Sequence, residues 1–201
     1  MPGQSVQAGA LIRVWDPVVR IGHWVLVAGF AIAYLTEGEP EWLHSWAGYA
    51  IAITVALRLA WGFVGPEHAR FADFVTGPDR VIAYLKALLS GKAERHVGHS
   101  PAGGAMTVAL LLMLGVTAFS GMATLAAEEG EGPLAGMVAR VESAEHDAHD
   151  GHGEKAESPW EEIHETAANL SLFLILLHLG GVLLASSVHR ENLARAMITG
   201  D

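Results

Sequence analysis

Polar residues along this chain are spaced so that four long apolar stretches stand between them, at about 18–36, 45–64, 102–126 and 166–188. Crossing the hydrocarbon core of a bilayer takes ~20 apolar helical residues, and each stretch comes close to or exceeds that length. Core helices of a soluble domain would need polar partner helices to cover them, and too few residues remain for that. The pattern therefore predicts an all-α integral membrane protein, a bundle of four transmembrane helices forming a single domain over residues 1–201.

Local signals mark where the helices begin. Asp16-Pro17 and Ser100-Pro101 each set a capping side chain ahead of a proline in the first turn, and Ser158-Pro159-Trp160-Glu161 adds a capping box. The fourth helix should thus start several residues before its apolar stretch. The first stretch has Arg20 and His23 near its start and lacks a clear small-x-small site, which argues against a cleaved signal peptide. Between the second and third stretches, Val81, Ile82, Leu85, Leu88 and Leu89 recur at helical spacing beside Arg80, Lys86 and Lys92. That spacing predicts a short helix lying in the membrane interface.

Composition agrees, with 51% hydrophobic residues and 17% charged, against roughly 25% charged in soluble domains. Mean hydropathy is +0.33. The net charge of −10 speaks against nucleic acid as a partner, because that needs a basic footprint. The charge is also unevenly placed. Nine of the 12 Lys and Arg residues precede or open the first stretch, lie between the second and third, or follow the fourth. By the positive-inside rule that side, with both termini, is cytoplasmic. The outer connections are acidic: Glu37, Glu39 and Glu41 in the first, and eleven carboxylates from Glu128 to Glu162 around a loop at about 127–158. Absence of cysteine excludes disulfides, zinc ribbons, iron–sulfur clusters and covalently attached c-type haem.

The candidate chemistry lies in histidine. His164 and His178 are 14 residues apart, which is ~21 Å of helical rise and within ~40° of four full turns. They share one face of the fourth helix at two depths. His44 opens the second helix at the level of His164. His23 lies ~18 Å below the outer end of the first helix, at the level of His178. Two level pairs, each drawn from two helices, suit a flat macrocycle gripped from both sides, and two neutral imidazoles across an iron porphyrin make a six-coordinate, electron-exchanging site. Arg58, 14 residues after His44, shares its face at the lower depth, where it could pair with a haem propionate or snorkel to the cytoplasmic headgroups. Arg20 could do the same or reach toward the headgroups. Gly22, Gly29, Gly48, Gly180 and Gly181 leave room either for a ring or for close helix packing.

Arg20-Ile21-Gly22-His23-Trp24, Leu43-His44-Ser45-Trp46-Ala47-Gly48, and His164-Glu165-Thr166-Ala167-Ala168-Asn169-Leu170 with His178 resemble the bacterial cytochrome b561 and nickel–iron hydrogenase b-type cytochrome superfamily. Arg58-Leu59-Ala60-Trp61-Gly62-Phe63-Val64-Gly65 with Ala69-Arg70-Phe71 looks like the hydrogenase-cytochrome branch. The helix-four segment is closer to the small free-standing b561 branch. The resemblance implies a haem-binding bundle in the bacterial inner membrane with two haem b groups, held by His23/His178 and His44/His164. It also implies electron transfer between membrane quinone and a periplasmic redox protein, either a c-type cytochrome or a hydrogenase-like module.

Two other functions fit less well. Superoxide oxidation linked to quinone would favour an electropositive approach, and fifteen carboxylates from Glu37 to Glu165 face outward. A metal-ion transporter would need acids within the apolar stretches, and none is there. His146, His149 and His152 read as a solvated acidic tract with weak metal-chelating capacity, and its charge could steer a basic partner. His68, His96, His99 and His189 border the membrane on the cytoplasmic side, with His99 a candidate to line a quinone pocket.

Overall fold

The computed structural model describes residues 15–36, 39–96, 98–138 and 158–200. In chain order the helices are α1 (Pro17–Thr36), α2 (Glu41–Val64), α3 (Phe71–Phe74), α4 (Pro78–Leu89), α5 (Pro101–Glu128), α6 (Pro159–His189) and α7 (Leu193–Thr199), with a 3-10 turn at Glu67–Ala69. Four of these, α1, α2, α5 and α6, are long and apolar enough to cross a membrane.

The caps lie where the sequence put them. Asp16 Oδ1 accepts the N–H groups of Val18 at 2.8 Å and Val19 at 3.3 Å. Ser100 Oγ accepts Gly103 N–H at 3.1 Å, and Ser158 Oγ accepts Trp160 N–H at 3.2 Å. These bonds satisfy N–H groups that have no partner inside the helix. Helix α2 starts ahead of its apolar stretch because the turn Glu41-Trp42-Leu43-His44 is too polar to count as membrane-spanning yet is helical.

Helix α1 packs on α2, α2 on α5 and α5 on α6. The core comprises Phe30, Ile51, Val55, Leu111, Leu114 and Ala118. Among the described residues α1 and α6 do not pack along their lengths. They meet through side chains: Tyr34 Oη donates to Asn169 Oδ1 at 3.3 Å, and the rings of His23 and His178 face each other. Leu170, Phe173, Leu176, Leu177 and Leu183 of α6 are left exposed, as suits a helix whose solvent is lipid and whose backbone polar groups are satisfied internally.

The four long helices alternate in direction. Trp15 N–H donates to Gly200 O at 3.4 Å, and both Arg20 Nε–H and Trp24 Nε1–H donate to Met197 O at 3.4 Å. Tyr84 of α4 meets His189, and Arg95 pairs with Glu191. The described N- and C-terminal residues therefore share one end, the basic end, with α4. The opposite, acidic end carries Glu41, Glu128, Glu129 and Glu131. Here Gly132 turns back beside Tyr49 and Leu125. The tract His146, His149 and His152 lies outside the described residues.

One wedge shapes the basic end. The ring of Phe71 lies against Gly62 of α2, where a Cβ would fall 2.1 Å from it, and Phe74 O lies 2.5 Å from where a Cβ on Gly104 of α5 would stand. Only glycine at both places lets α3 press between α2 and α5.

Candidate functional site

At the acidic end the His44 and His164 rings stand with centroids 6.0 Å apart and planes at 77°. Their outward nitrogens are both held by backbone carbonyls. His44 Nδ1 lies 3.0 Å from Ala33 O on α1, and His164 Nδ1 lies 2.8 Å from Thr117 O on α5. A carbonyl can only accept, so each Nδ1 carries the proton and each Nε2 keeps its lone pair. Ser120 Oγ, which donates to carbonyls of its own helix, sits 3.4 Å from the same His164 nitrogen. The approach of His164 depends on Gly121, since a Cβ there would stand 2.8 Å from Cε1 and 3.0 Å from Nδ1. Two turns along α6, Ser171 is fully buried with Oγ 3.1 Å from Thr117 Oγ1.

At the basic end the His23 and His178 rings have centroids 6.5 Å apart and planes at 59°. Among the described residues no hydrogen bond reaches the buried Nδ1 of His23, nor either nitrogen of His178. Arg58 is buried, with both terminal guanidinium nitrogens lacking a partner. Phe71 and Phe74 flank it at 5.2 and 5.9 Å from ring centroid to Cζ, a cation–π setting. A buried donor pair without an acceptor is costly.

His99 stacks on Phe74 at 4.3 Å and meets Trp15 edge-on at 4.9 Å. Burial, aided by the nearby Arg58 charge and opposed by Asp73, lowers its pKa to about 4, so it is neutral at ordinary pH. At the acidic end, partial desolvation together with Glu41 and Glu131 raises the pKa of Glu129.

The structure thus brings together His23 with His178 and His44 with His164, and sets Arg58 at the basic end. Arg20 behaves differently: its Nε is engaged by Met197 O, and its guanidinium lies beside Gly200. The glycines divide as well. Gly29 is filled by Ile51 at 3.0 Å and Gly22 faces Thr54 at 3.4 Å, whereas Gly48, Gly180 and Gly181 have nothing within 4 Å of a built Cβ. Sequence reasoning missed the Thr117, Ser120 and Gly121 seat under His164. Its only local signal was a polar pair three residues apart inside an apolar span. The clamp of Phe71 and Phe74 on Arg58 was also missed.

A membrane bundle holding two cross-helix imidazole pairs, each at its own end, belongs to the class of membrane b-type cytochromes. Residues 14–200 match the prokaryotic cytochrome b561 family, and the chain belongs to it. It is similar to a probable Ni/Fe-hydrogenase B-type cytochrome subunit of Bradyrhizobium diazoefficiens, 23% identical over 233 aligned positions, covering 99% of this chain and 89% of the relative. No solved structure matches it. The family is one of multi-pass membrane proteins that bind haem b and take part in electron transport.

Proposed function

We propose that the chain binds two haem b groups, one between His44 and His164 and one between His23 and His178. We further propose that it passes electrons between a periplasmic redox protein and quinone in the bacterial inner membrane, with both termini cytoplasmic. The spacing of the two ring pairs carries this reading. Two metal–imidazole bonds of ~2.0 Å plus about 1.1 Å from each nitrogen to its ring centre give ~6.2 Å, beside the 6.5 and 6.0 Å found. The donor set fits as well: in the acidic-end pair, carbonyls hold the outer nitrogens and leave the inner ones free to ligate, the usual support for a metal-bound histidine.

A haem held by His44 and His164, or by His23 and His178, would supply one-electron exchange. The chain supplies the rest. The buried donors of Arg58 suit a carboxylate, which a propionate would provide. Gly48, open and one turn from His44, leaves room for a macrocycle edge. Arg20 braces α1 against the C-terminal segment, so a propionate role for it ranks below that of Arg58. The relative's name, a hydrogenase cytochrome subunit, supports a hydrogenase-like module as electron partner, with a basic c-type cytochrome as the other candidate for the acidic end.

Substitution tests the assignment. His44→Ala and His178→Ala should each leave one reducible haem of the two in the purified protein. If either variant keeps both, the ligand pairing is wrong.

A further inference from the structure

We propose that the groove between α1 and α7 is a binding site for one anionic phospholipid, with its phosphate on Arg20 and an acyl chain along α1. The inference stands apart from the haem reading, because none of the paired histidines lines the groove.

The groove joins a cation to apolar walls. Arg20, Ile21, Trp24 and Val25 of α1 form one side, and Met197 and Ile198 of α7 the other, with no carboxylate among them. Arg20 is partly buried and its direction is fixed, since its Nε–H and the Trp24 indole N–H both donate to Met197 O at 3.4 Å. Gly200, at φ 94°, completes the seat: a Cβ there would stand 2.6 Å from Arg20 Nη1. Among the described residues the terminal nitrogens of Arg20 make no hydrogen bond or ion pair. The guanidinium fork matches phosphate geometry, and both terminal NH2 groups remain for an anion.

Nearby acids are already engaged. Asp16 caps α1 through the N–H groups of Val18 and Val19. Glu191, the one acid in residues 190–200, pairs with Arg95. Arg20 is thus left without a counter-charge among the described residues, at an end that also carries Arg190 and Arg195. A headgroup of net negative charge supplies one.

The tail has a track as well. Ile21, Val25, Ala28 and Ile32 are exposed and follow one another at spacings of four, three and four along α1, which is a single ridge of the helix. Their ~16 Å of rise is about half of the ~30 Å hydrocarbon core, the depth of one leaflet. Trp24, at the start of the ridge, has the amphipathic ring that favours headgroup level. A free phosphate would leave the ridge unused, so the ligand that fits is a phospholipid.

Native mass spectrometry of the delipidated holoprotein in detergent tests this, with titration by phosphatidylglycerol or by phosphatidylcholine of the same chains. Wild type should retain one phosphatidylglycerol per chain at concentrations where phosphatidylcholine does not bind. Arg20→Gln should weaken that first binding event by ~10-fold or more, the worth of a charge-assisted hydrogen bond, and Arg20→Lys should recover part of it. Ile198→Glu changes an exposed position and puts a like charge in the groove, so it should abolish the preference and keeps the test sound if Arg20→Gln fails to fold. Arg195→Gln, which alters a cation of α7 outside the groove, should bind as wild type. Equal binding of the two lipids, an unchanged first event in Arg20→Gln or Ile198→Glu, or equal losses in Arg195→Gln and Arg20→Gln would each overturn the inference. Displacement of the lipid by inorganic phosphate alone would reveal a general anion site and overturn it too.

Discussion

Gly121→Ala probes the seat of His164 with a single methyl group. The new Cβ would stand 2.8 Å from Cε1 and 3.0 Å from Nδ1 of His164, where ordinary carbon contacts are ~3.5 Å or more. The ring must retreat from α5 by about 0.7 Å. Thr117 lies one turn before Gly121 on the same helix, so the retreat stretches the 2.8 Å bond from Nδ1 to Thr117 O past the ~3.2 Å limit of a good hydrogen bond. Loss of such support for a metal-bound histidine typically costs ~10–100-fold in affinity. Alanine also gains about 1 kcal/mol in helix propensity over glycine, which offsets part of the packing strain, so thermal stability is a poor readout and haem content a good one. The assay is the ratio of haem to protein under limiting haem, with Gly115→Ala as control, because a Cβ there meets Val55 at an ordinary 3.7 Å. Gly121→Ala should lose haem from one site only while Gly115→Ala keeps both. A Gly121→Ala protein that keeps full haem at both sites would refute the argument.

Thr117→Val removes a hydroxyl but keeps the carbonyl. It strands the buried Ser171 hydroxyl, 3.1 Å away, and should cost ~1–3 kcal/mol, seen as a lower melting temperature in detergent with haem content unchanged. Gly62→Ala would drive a methyl into the Phe71 ring, 2.1 Å from its position. A loss of ~1–3 kcal/mol is expected from overpacking, again read by melting. His99 makes stability depend on pH. Its native pKa is about 4 and its unfolded value ~6.5, so between those limits the unfolded chain takes up a proton that the native one refuses. Stability should be level above pH 6.5 and fall by at most about 3 kcal/mol on acidification toward pH 4. Melting of His99→Phe over the same range should be flatter than wild type, and equal slopes would contradict the assignment.

Much of this architecture is written in local pattern. Four apolar stretches became α1, α2, α5 and α6, and Asp16, Ser100 and Ser158 cap their helices because an N-cap depends only on residues two or three positions away. The meeting of His44 with His164 and of His23 with His178 followed from helical rise alone, since in a bundle crossing a slab of fixed thickness depth is set by position along the chain. What stayed hidden depends on the rotation of one helix against another. The acceptance of His164 by Thr117 O, the closing of Phe71 and Phe74 over Arg58, and the engagement of Arg20 by Met197 O all join residues distant in sequence. Backbone carbonyls as partners leave no trace in residue identity, and a glycine required for close approach looks the same as one that faces open space, as Gly121 and Gly180 do.

The central claim, two haems held by two histidine pairs, is tested most directly by counting haem in the purified wild-type protein with a pyridine haemochrome assay set against amino-acid analysis. The account predicts two b-type haems per chain, both reducible by dithionite. One haem per chain, or colourless protein after haem-replete expression, would contradict it.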